Sequence, residues 1–253
     1  MRVHVIQLSY GDEETLAARV ERVTATVRAQ RGADLVVLPE LWPNGGFAYD
    51  GWEVSAQPLD GSVVTALRDA TRELGALVHM GSLVERDGTG RMFNTSVLLG
   101  RDGAVLATYR KIHLFGFGEG EPKLMTPGDD IVVQDALGLA TCYDLRFPEQ
   151  FRRLLDAGAE VVLIPAAWPA KRVAHWRLLA QARAVENQSY VVACNTAGEH
   201  SGVAMGGGSI VVDPWGSVLA EAGTDEEVLV VDLDLDSVAR TRASFPILAD
   251  RRL

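Results

Sequence analysis

The chain carries an internal repeat. ADLVVLPE at 33–40 is similar to AEVVLIPA at 159–166, and NTSVLLGRDGAVLATYR at 94–110 is similar to GGSIVVDPWGSVLAEAG at 207–223. In each copy a short apolar run suits a buried strand, and a strand, turn and strand follow later in the same order. Two halves that repeat this plan should fold alike. The spacer segments read as helices: Leu16, Val20, Val23 and Val27 share one face of 12–32, with acids in the first turn and Gly32 near the end. Val63, Leu67, Ala70 and Leu74 do the same in 62–75. Residues 147–158 and 174–188 are the expected helices of the second half, and 189–196, 208–216, 217–223 and 227–235 are expected strands. A sheet in each half, helices outside and the sheets face to face gives an α/β fold, a four-layer α-β-β-α sandwich. No Pro/Gly/Ser-rich linker separates the halves, so residues 1–253 are expected to form a single domain.

Composition narrows the function. The formal net charge is -10 and the sequence pI is about 5.0. Such a chain repels phosphate backbones, so no nucleic acid partner is expected. Arg240, Arg242, Arg251 and Arg252 are too sparse to reverse this and suit a surface or subunit contact. The two cysteines, Cys142 and Cys194, form no CxxC pair, and no Cys/His cluster has zinc spacing. No metal is expected. The start, MRVHVIQLSYGDEE, lacks the marks of a signal peptide. No run reaches the roughly 18 apolar residues of a membrane span. The expectation is a cytoplasmic protein with reduced thiols and no membrane partner.

Three apolar runs end in a reactive residue: VVLPE in Glu40, VLATYRK in Lys111 and LGLATC in Cys142. Ligands gather beyond the carboxyl ends of strands in α/β sheets, so a carboxylate, an ammonium and a thiol could converge there. Cys142 would then be a nucleophile, with Lys111 as the cation that lowers its pKa. Glu40 could take the thiol proton and return it to a leaving amine. Lys111 and the backbone N–H of Tyr143 could face the oxyanion of an attacked carbonyl. The product would be a thioester, open to hydrolysis by water.

These segments resemble the motifs of the nitrilase superfamily of carbon–nitrogen hydrolases. LPELWPNGGF resembles its glutamate motif, YRKIHLF its lysine motif and GLATCYDLRFPE its cysteine motif, in the same order and spacing. HWRLLAQARAVENQ and VVDPWG resemble segments of the amidase branches that include omega-amidases. The resemblance runs over nearly the whole chain. It implies the α-β-β-α sandwich, an assembly of two or more copies, and a Glu-Lys-Cys triad at Glu40, Lys111 and Cys142. It also implies a second glutamate between lysine and cysteine. Glu119 and Glu121 are available, and Glu121 matches better because EPKLMTPGD resembles the segment before the family's PGD turn.

Other residues stay open at this level. Arg146 could fork onto a substrate carboxylate, or pair with Asp144, Glu149 or another subunit. Trp42 and Trp168 follow strand ends and could wall the pocket, or pack in the core. His113, two residues after Lys111, could pair with Cys142, but a structural role is preferred. His175 should pack beside Trp176, and Cys194 should be a core thiol. Asn195, Thr196 and Gly198 could line a rim or make a turn. The run Gly206, Gly207 and Gly208 could cradle phosphate only weakly, since no strand-to-helix context follows. It stands where related amidases carry a bulkier residue, often histidine, at position 208.

The reading is an amidase that cleaves the linear C–N bond of a small carboxylate-bearing amide through a Cys142 thioester, with ammonia released. The omega-amide of a 2-oxo acid is favoured. No cofactor is implied. An N-carbamoyl hydrolase and, behind it, a nitrilase share the triad. A non-catalytic binding protein on the same fold is the rival from another class.

Overall fold

The computed structural model describes residues 1–252. The first half runs β1 (Arg2–Gln7), β2 (Ser9–Tyr10), α1 (Leu16–Arg28), β3 (Leu35–Val37), α2 (Tyr49–Ser55), α3 (Ser62–Leu74), β4 (Leu77–Arg86), β5 (Met92–Leu99), β6 (Val105–Arg110) and α4 (Glu121–Leu124). The second runs β7 (Val133–Gln134), β8 (Leu137–Leu139), α5 (Pro148–Asp156), β9 (Val161–Pro165), α6 (Val173–Asn187), β10 (Tyr190–Cys194), β11 (Ala197–His200), β12 (Val203–Ala204), β13 (Ile210–Val212), β14 (Val218–Glu221), β15 (Glu227–Asp232) and α7 (Asp236–Ser244).

Two six-stranded sheets have the orders β15-β1-β3-β4-β5-β6 and β14-β13-β10-β9-β8-β7. Reversing the second list aligns β1-β3-β4-β5-β6 with β8-β9-β10-β13-β14, position by position. The similar sequence pairs fall on β3 and β9, and on the hairpins β5–β6 and β13–β14. In each sheet three central strands are parallel, with Val3 beside Leu35 and Leu137 beside Val161. Each parallel crossover carries a helix, as a βαβ unit requires. An antiparallel strand closes each sheet: β7 on β8, and β15, from the far end of the chain, on β1.

The alternation of side chains along the strands sorts the core into layers. Leu35 and Val37 meet Val161, Leu163 and Val192 between the sheets. Val36 and Leu38 turn the other way, under Val23, Val27, Val63, Leu67 and Ala70 of α1 and α3. Val162 and Ile164 face Phe151, Leu154, Ala180 and Ala184 of α5 and α6. The four expected layers are therefore present: helices, sheet, sheet, helices. No helix of the described residues is long and apolar enough to cross a membrane.

Local departures from the sequence reading have physical causes. α1 starts at Leu16, and the Ala18 N–H donates to the capping Thr15 Oγ1 at 3.3 Å. The acids at 12–14 therefore precede the helix, and Glu14 instead binds Arg19 and Arg22. α2 holds a mid-helix glycine, and α7 buries only Val238 and Thr241, so neither shows a clear apolar stripe. The run leading to Cys142 leaves the sheet at Leu139, and a 3-10 helix begins at the cysteine itself.

Candidate active site

Glu40 and Ala166 occupy equivalent places in the repeat, just past the ends of β3 and β9. They meet across the sheet interface. The Glu40 N–H donates to the Ala166 carbonyl at 3.4 Å, and the Ala167 N–H donates to Glu40 Oε2 at 2.8 Å. The cleft thus opens where the two pseudo-equivalent strand ends face each other. Lys111 directly follows β6, and its N–H donates to the Asn94 carbonyl of β5 at 2.9 Å. Glu121 starts α4 after a loop folded back on itself. Gly116 turns that loop at φ +147°, where a Cβ would lie 1.8 Å from the Glu119 carbonyl oxygen. The Phe115 N–H donates to Glu121 Oε2 at 2.6 Å.

Lys111 Nζ donates to Glu40 Oε1 at 2.7 Å and to Glu121 Oε1 and Oε2 at 3.0 and 2.8 Å. Lys111, Glu40 and Glu121 are 1%, 2% and 3% exposed, so this is a buried cluster, not a surface ion pair. Burial alone would lower the lysine pKa. The carboxylates of Glu121 and Glu40 outweigh it and hold the ammonium charged, well above its ordinary range. Burial raises the Glu121 carboxyl, against the pull of Lys111. Glu119, the alternative, is exposed and pairs with Lys123 at 2.9 Å.

Cys142 sits at φ +47° as the first residue of the 3-10 helix Cys142–Arg146. Left-handed backbone is costly for a residue with a Cβ and persists only when its surroundings hold it. Asp144, fully buried, supplies the hold. Its Oδ2 accepts the Thr141 N–H at 2.8 Å and the Tyr109 hydroxyl at 2.6 Å. Its Oδ1 accepts the His113 N–H at 3.0 Å and faces His113 Nδ1 at 2.8 Å. His113 Nδ1 also faces Gln150 Oε1 at 3.1 Å, so two acceptors fix a proton on that nitrogen. The ring stacks on Phe147 at 3.7 Å. His113 thus ties the lysine loop to the cysteine turn and is not the thiol's partner.

The expectation of a lowered thiol pKa fails. Burial pushes Cys142 well above its ordinary value, the Glu40 charge pushes it further, and Lys111 only partly opposes them. The resting group is a thiol facing a carboxylate, an arrangement suited to proton removal during attack. Cys194 is fully buried, with Sγ 3.2 Å from the Ile6 carbonyl oxygen, and belongs to the core between the sheets.

Cys142 opens into a cleft lined by Phe47, Tyr49, Phe115, Tyr143, Arg146, Trp168 and Arg172. Trp168 is therefore a wall. Its N–H donates to Asn195 Oδ1 at 2.6 Å, and its indole N–H donates to the Arg172 carbonyl at 2.8 Å. Trp42 is not a wall. It is fully buried between sheet and helices, with its indole N–H on the Met80 carbonyl at 2.8 Å. The chain turns at Leu41 (φ +48°), which sends the next side chain away from the cleft. Arg146 stacks over Trp168 at 4.6 Å, with His175 Nδ1 3.4 Å from its guanidinium. Arg172 lies over Phe115 at 5.2 Å. Among the described residues neither arginine has a carboxylate partner, so Asp144 and Glu149 do not pair with Arg146 within the chain. Burial, and after it the neighbouring Arg172 charge, lowers the Arg146 pKa. The mouth thus carries two cations with no carboxylate partner among the described residues.

The Gly206–Gly208 run is no phosphate cradle, because its three N–H groups donate to the carbonyls of Trp168, Thr196 and Gly223. Gly207 needs φ +56°, and a Cβ there would lie 2.5 Å from the Gly223 oxygen. The Gly206 bond braces the Trp168 backbone instead. Sequence reasoning missed Arg172, Phe47, Tyr49 and Phe115. The basic PAKR stretch after the β9 end was a usable signal for Arg172; the aromatics reach the cleft only through loop geometry.

Known proteins resemble this chain over nearly its whole length. The chain is 44% identical over 261 residues to the 2-oxoglutaramate amidase of Paenarthrobacter nicotinovorans, covering 99% of this chain and 89% of the relative. It superposes on Nit3 of Saccharomyces cerevisiae, a member of branch 10 of the nitrilase superfamily, with TM-score 0.90 at 31% identity, over 100% of this chain and 97% of that one. A mutant amidase from Nesterenkonia sp. AN1, with the acetamide moiety of fluoroacetamide covalently added at its active-site cysteine, gives TM-score 0.83 at 28% identity, over 98% and 97% of the two chains. Residues 2–243 match the carbon–nitrogen hydrolase model, and the chain belongs to the carbon–nitrogen hydrolase family.

Proposed function

We propose that this protein is an amidase that hydrolyses the omega-amide of a small 2-oxo acid, with Cys142 as nucleophile. The observation that carries the reading is a thiol on a left-handed turn, placed with a buried Lys111–Glu40–Glu121 cluster at the base of a small cleft whose mouth holds two unpaired arginines. The similarity to a 2-oxoglutaramate amidase over 99% of the chain supports the substrate class.

In this reading Glu40 accepts the thiol proton as Cys142 Sγ attacks the amide carbon. Lys111 and the Tyr143 N–H, in the first turn of the 3-10 helix where amides lack helical acceptors, receive the negative oxygen. Glu40 then returns the proton to the leaving nitrogen, ammonia departs and a thioester remains. Glu40 next takes a proton from water as it attacks the thioester, with Glu121 fixing the ammonium that bridges both carboxylates. Sγ leaves with that proton, and the 2-oxo diacid is released. Arg146 and Arg172 hold the distal carboxylate, and Trp168 and Tyr143 wall the chain between. A charged, water-poor base makes each of these contacts stronger than in solvent.

Residues 1–253 are proposed to act as one domain, supported by a core in which residues of both halves interleave. A homodimer is proposed on the exposed Trp215 and Phe245, stacked with ring centroids 5.9 Å apart. A cytoplasmic setting is supported by two free cysteines.

The test is ammonia release from 2-oxoglutaramate, 2-oxosuccinamate, a neutral aliphatic amide, an N-carbamoyl amino acid and a nitrile, with Cys142→Ala as control. Selective turnover of the 2-oxo acid amides, lost by roughly 10⁴-fold or more in the variant, is the expected result. Turnover of the carbamoyl compound or nitrile alone would replace the substrate and keep the nucleophile. Undiminished turnover in the variant would remove Cys142.

A further inference from the structure

Asn94 lies outside the cleft lining, is 1% exposed, and stands in the β5 strand beside Lys111. Its side-chain Nδ2 donates to Glu40 Oε1 at 2.8 Å and to Glu121 Oε1 at 2.7 Å. One amide group thus uses its two protons on two carboxylates that also share one ammonium. Its own Oδ1 is buried with no partner. A buried amide oxygen left unsatisfied costs stability, and a hydrocarbon of the same shape would avoid that cost. The amide is retained for its donors.

Both carboxylates need such donors. With Glu40 and Glu121 ionised, the cluster holds two negative charges against one ammonium. Like charges at this distance favour protonating one of them. A proton on the pair would take away the acceptor that Cys142 needs. Donors to an ionised carboxylate favour that form. The other titratable or charged groups around the cluster are Lys111, Cys142, the Tyr49 phenol across the cleft, the Tyr10 phenol, which feels the Glu40 charge, and Arg146 and Arg172 at the mouth. Lys111 already donates to both carboxylates, and the Asn94 amide adds one further donor to each. The donation to Oε1 also sets the Glu40 rotamer. Oε1 is taken by Lys111 and Asn94, and Oε2 is held by the Ala167 N–H.

We propose that Asn94 is a positioning residue that keeps the two glutamates ionised and Glu40 oriented for proton transfer. The inference rests on the amidase reading and names a residue that this reading did not require. A proton on either carboxylate would remove the shared acceptor, so the effect belongs on the acid limb of kcat/KM.

The experiment compares the unaltered protein with Asn94→Leu, which keeps the shape without donors, and Asn94→Ser, which keeps one donor. The substrate is whichever amide the unaltered protein turns over. For Asn94→Leu, kcat should fall roughly 10- to 100-fold, the size of a lost hydrogen bond to a charged group. KM should change less than about 3-fold, because the side chain does not line the cleft. The acid limb should move up by at least about half a pH unit. Asn94→Ser should recover part of both effects. Rates are normalised to active sites titrated through Cys142. A loss that vanishes on normalisation, with the acid limb unmoved, overturns the proposal. In the unaltered protein, the Asn94 side-chain amide protons should shift in NMR spectra with the same midpoint as the acid limb. Shifts that ignore pH across that limb overturn it even where neither variant folds. An unaltered protein inactive on every amide would instead sink the amidase reading, a separate failure.

Discussion

Lys111 is the residue on which the site turns, since it touches both glutamates from a position 1% exposed. Its loss would leave two buried carboxylates facing each other, and breaking a buried pair in this way typically costs about 3–5 kcal/mol. In the proposed reading the cluster is therefore structural and chemical at once. The residues proposed as reactive stand out in the sequence because each ends an apolar run, and the structure brings Glu40 and Lys111 within hydrogen-bond distance in the cleft that Cys142 lines. Arg172 left only a weak signal, the basic PAKR stretch, since one guanidinium in a loop has no periodic pattern to place it in the cleft. Its function can be separated from chemistry. Arg172→Gln should raise KM for a carboxylate-bearing amide roughly 10-fold, from one lost charge-assisted contact, and leave a neutral amide within about 2-fold. Steady-state kinetics on both substrates check this, and equal changes on the two would show that Arg172 shapes the cleft without reading the carboxylate.

At the scale of elements, the turn that presents Cys142 is the feature that sequence periodicity could not show. The strand reading held up to Leu139, and then a φ of +47° and a 3-10 helix replaced the expected extended end. Backbone sign is set by tertiary partners, here Asp144 with Tyr109, Thr141 and His113, and those partners come from distant segments. Asp144→Asn keeps the volume but offers two protons to a site that already contains donors. The expected result is a loss of about 2 kcal/mol or more of unfolding free energy, together with a fall in kcat. Chemical denaturation and turnover measured on the same preparation test it. A variant with unfolding free energy and kcat both intact would show that the turn holds itself. Helices α1, α3, α5 and α6 were readable because each buries one stripe. The short α2 and α7 bury too little to leave one.

On the scale of the whole molecule, the internal repeat carried the architecture. Two copies of one strand-turn-strand plan, each with helices between parallel strands, leave few arrangements other than two stacked sheets. The pairing of β15 with β1 was not readable, because the repeat is offset: the closing strand precedes one sheet in sequence and follows the other. The packed whole also hides titratable groups. His79 and His200 are fully buried, and burial lowers their pKa from 6.5 to about 4 and about 3. Their folded values lie below the unfolded one, so the neutral form is free of penalty above about pH 6.5. As pH falls below that, the unfolded chain gains protons that the folded one refuses, and stability declines. By about pH 4.5 each histidine should cost roughly 2–3 kcal/mol. His200 stacks on Tyr10 at 4.0 Å with both ring nitrogens unpartnered, so His200→Phe should keep the packing and remove its share of the decline. Denaturant unfolding at pH 7 and pH 4.5 reads the difference, and an unchanged acid decline in the variant would exclude His200 as a source.

In the proposed mechanism Cys142 rests as a thiol, is activated in place by Glu40 and forms an acyl bond with the substrate. Rapid acid quench of the enzyme with 2-oxoglutaramate, followed by mass analysis of the Cys142 peptide, tests this most directly. That peptide should carry the mass of the 2-oxoglutaryl group, with ammonia released in an equal burst and the Cys194 peptide unmodified. Full turnover with no acyl mass at Cys142 at any quench time, or an acyl group elsewhere, would contradict it.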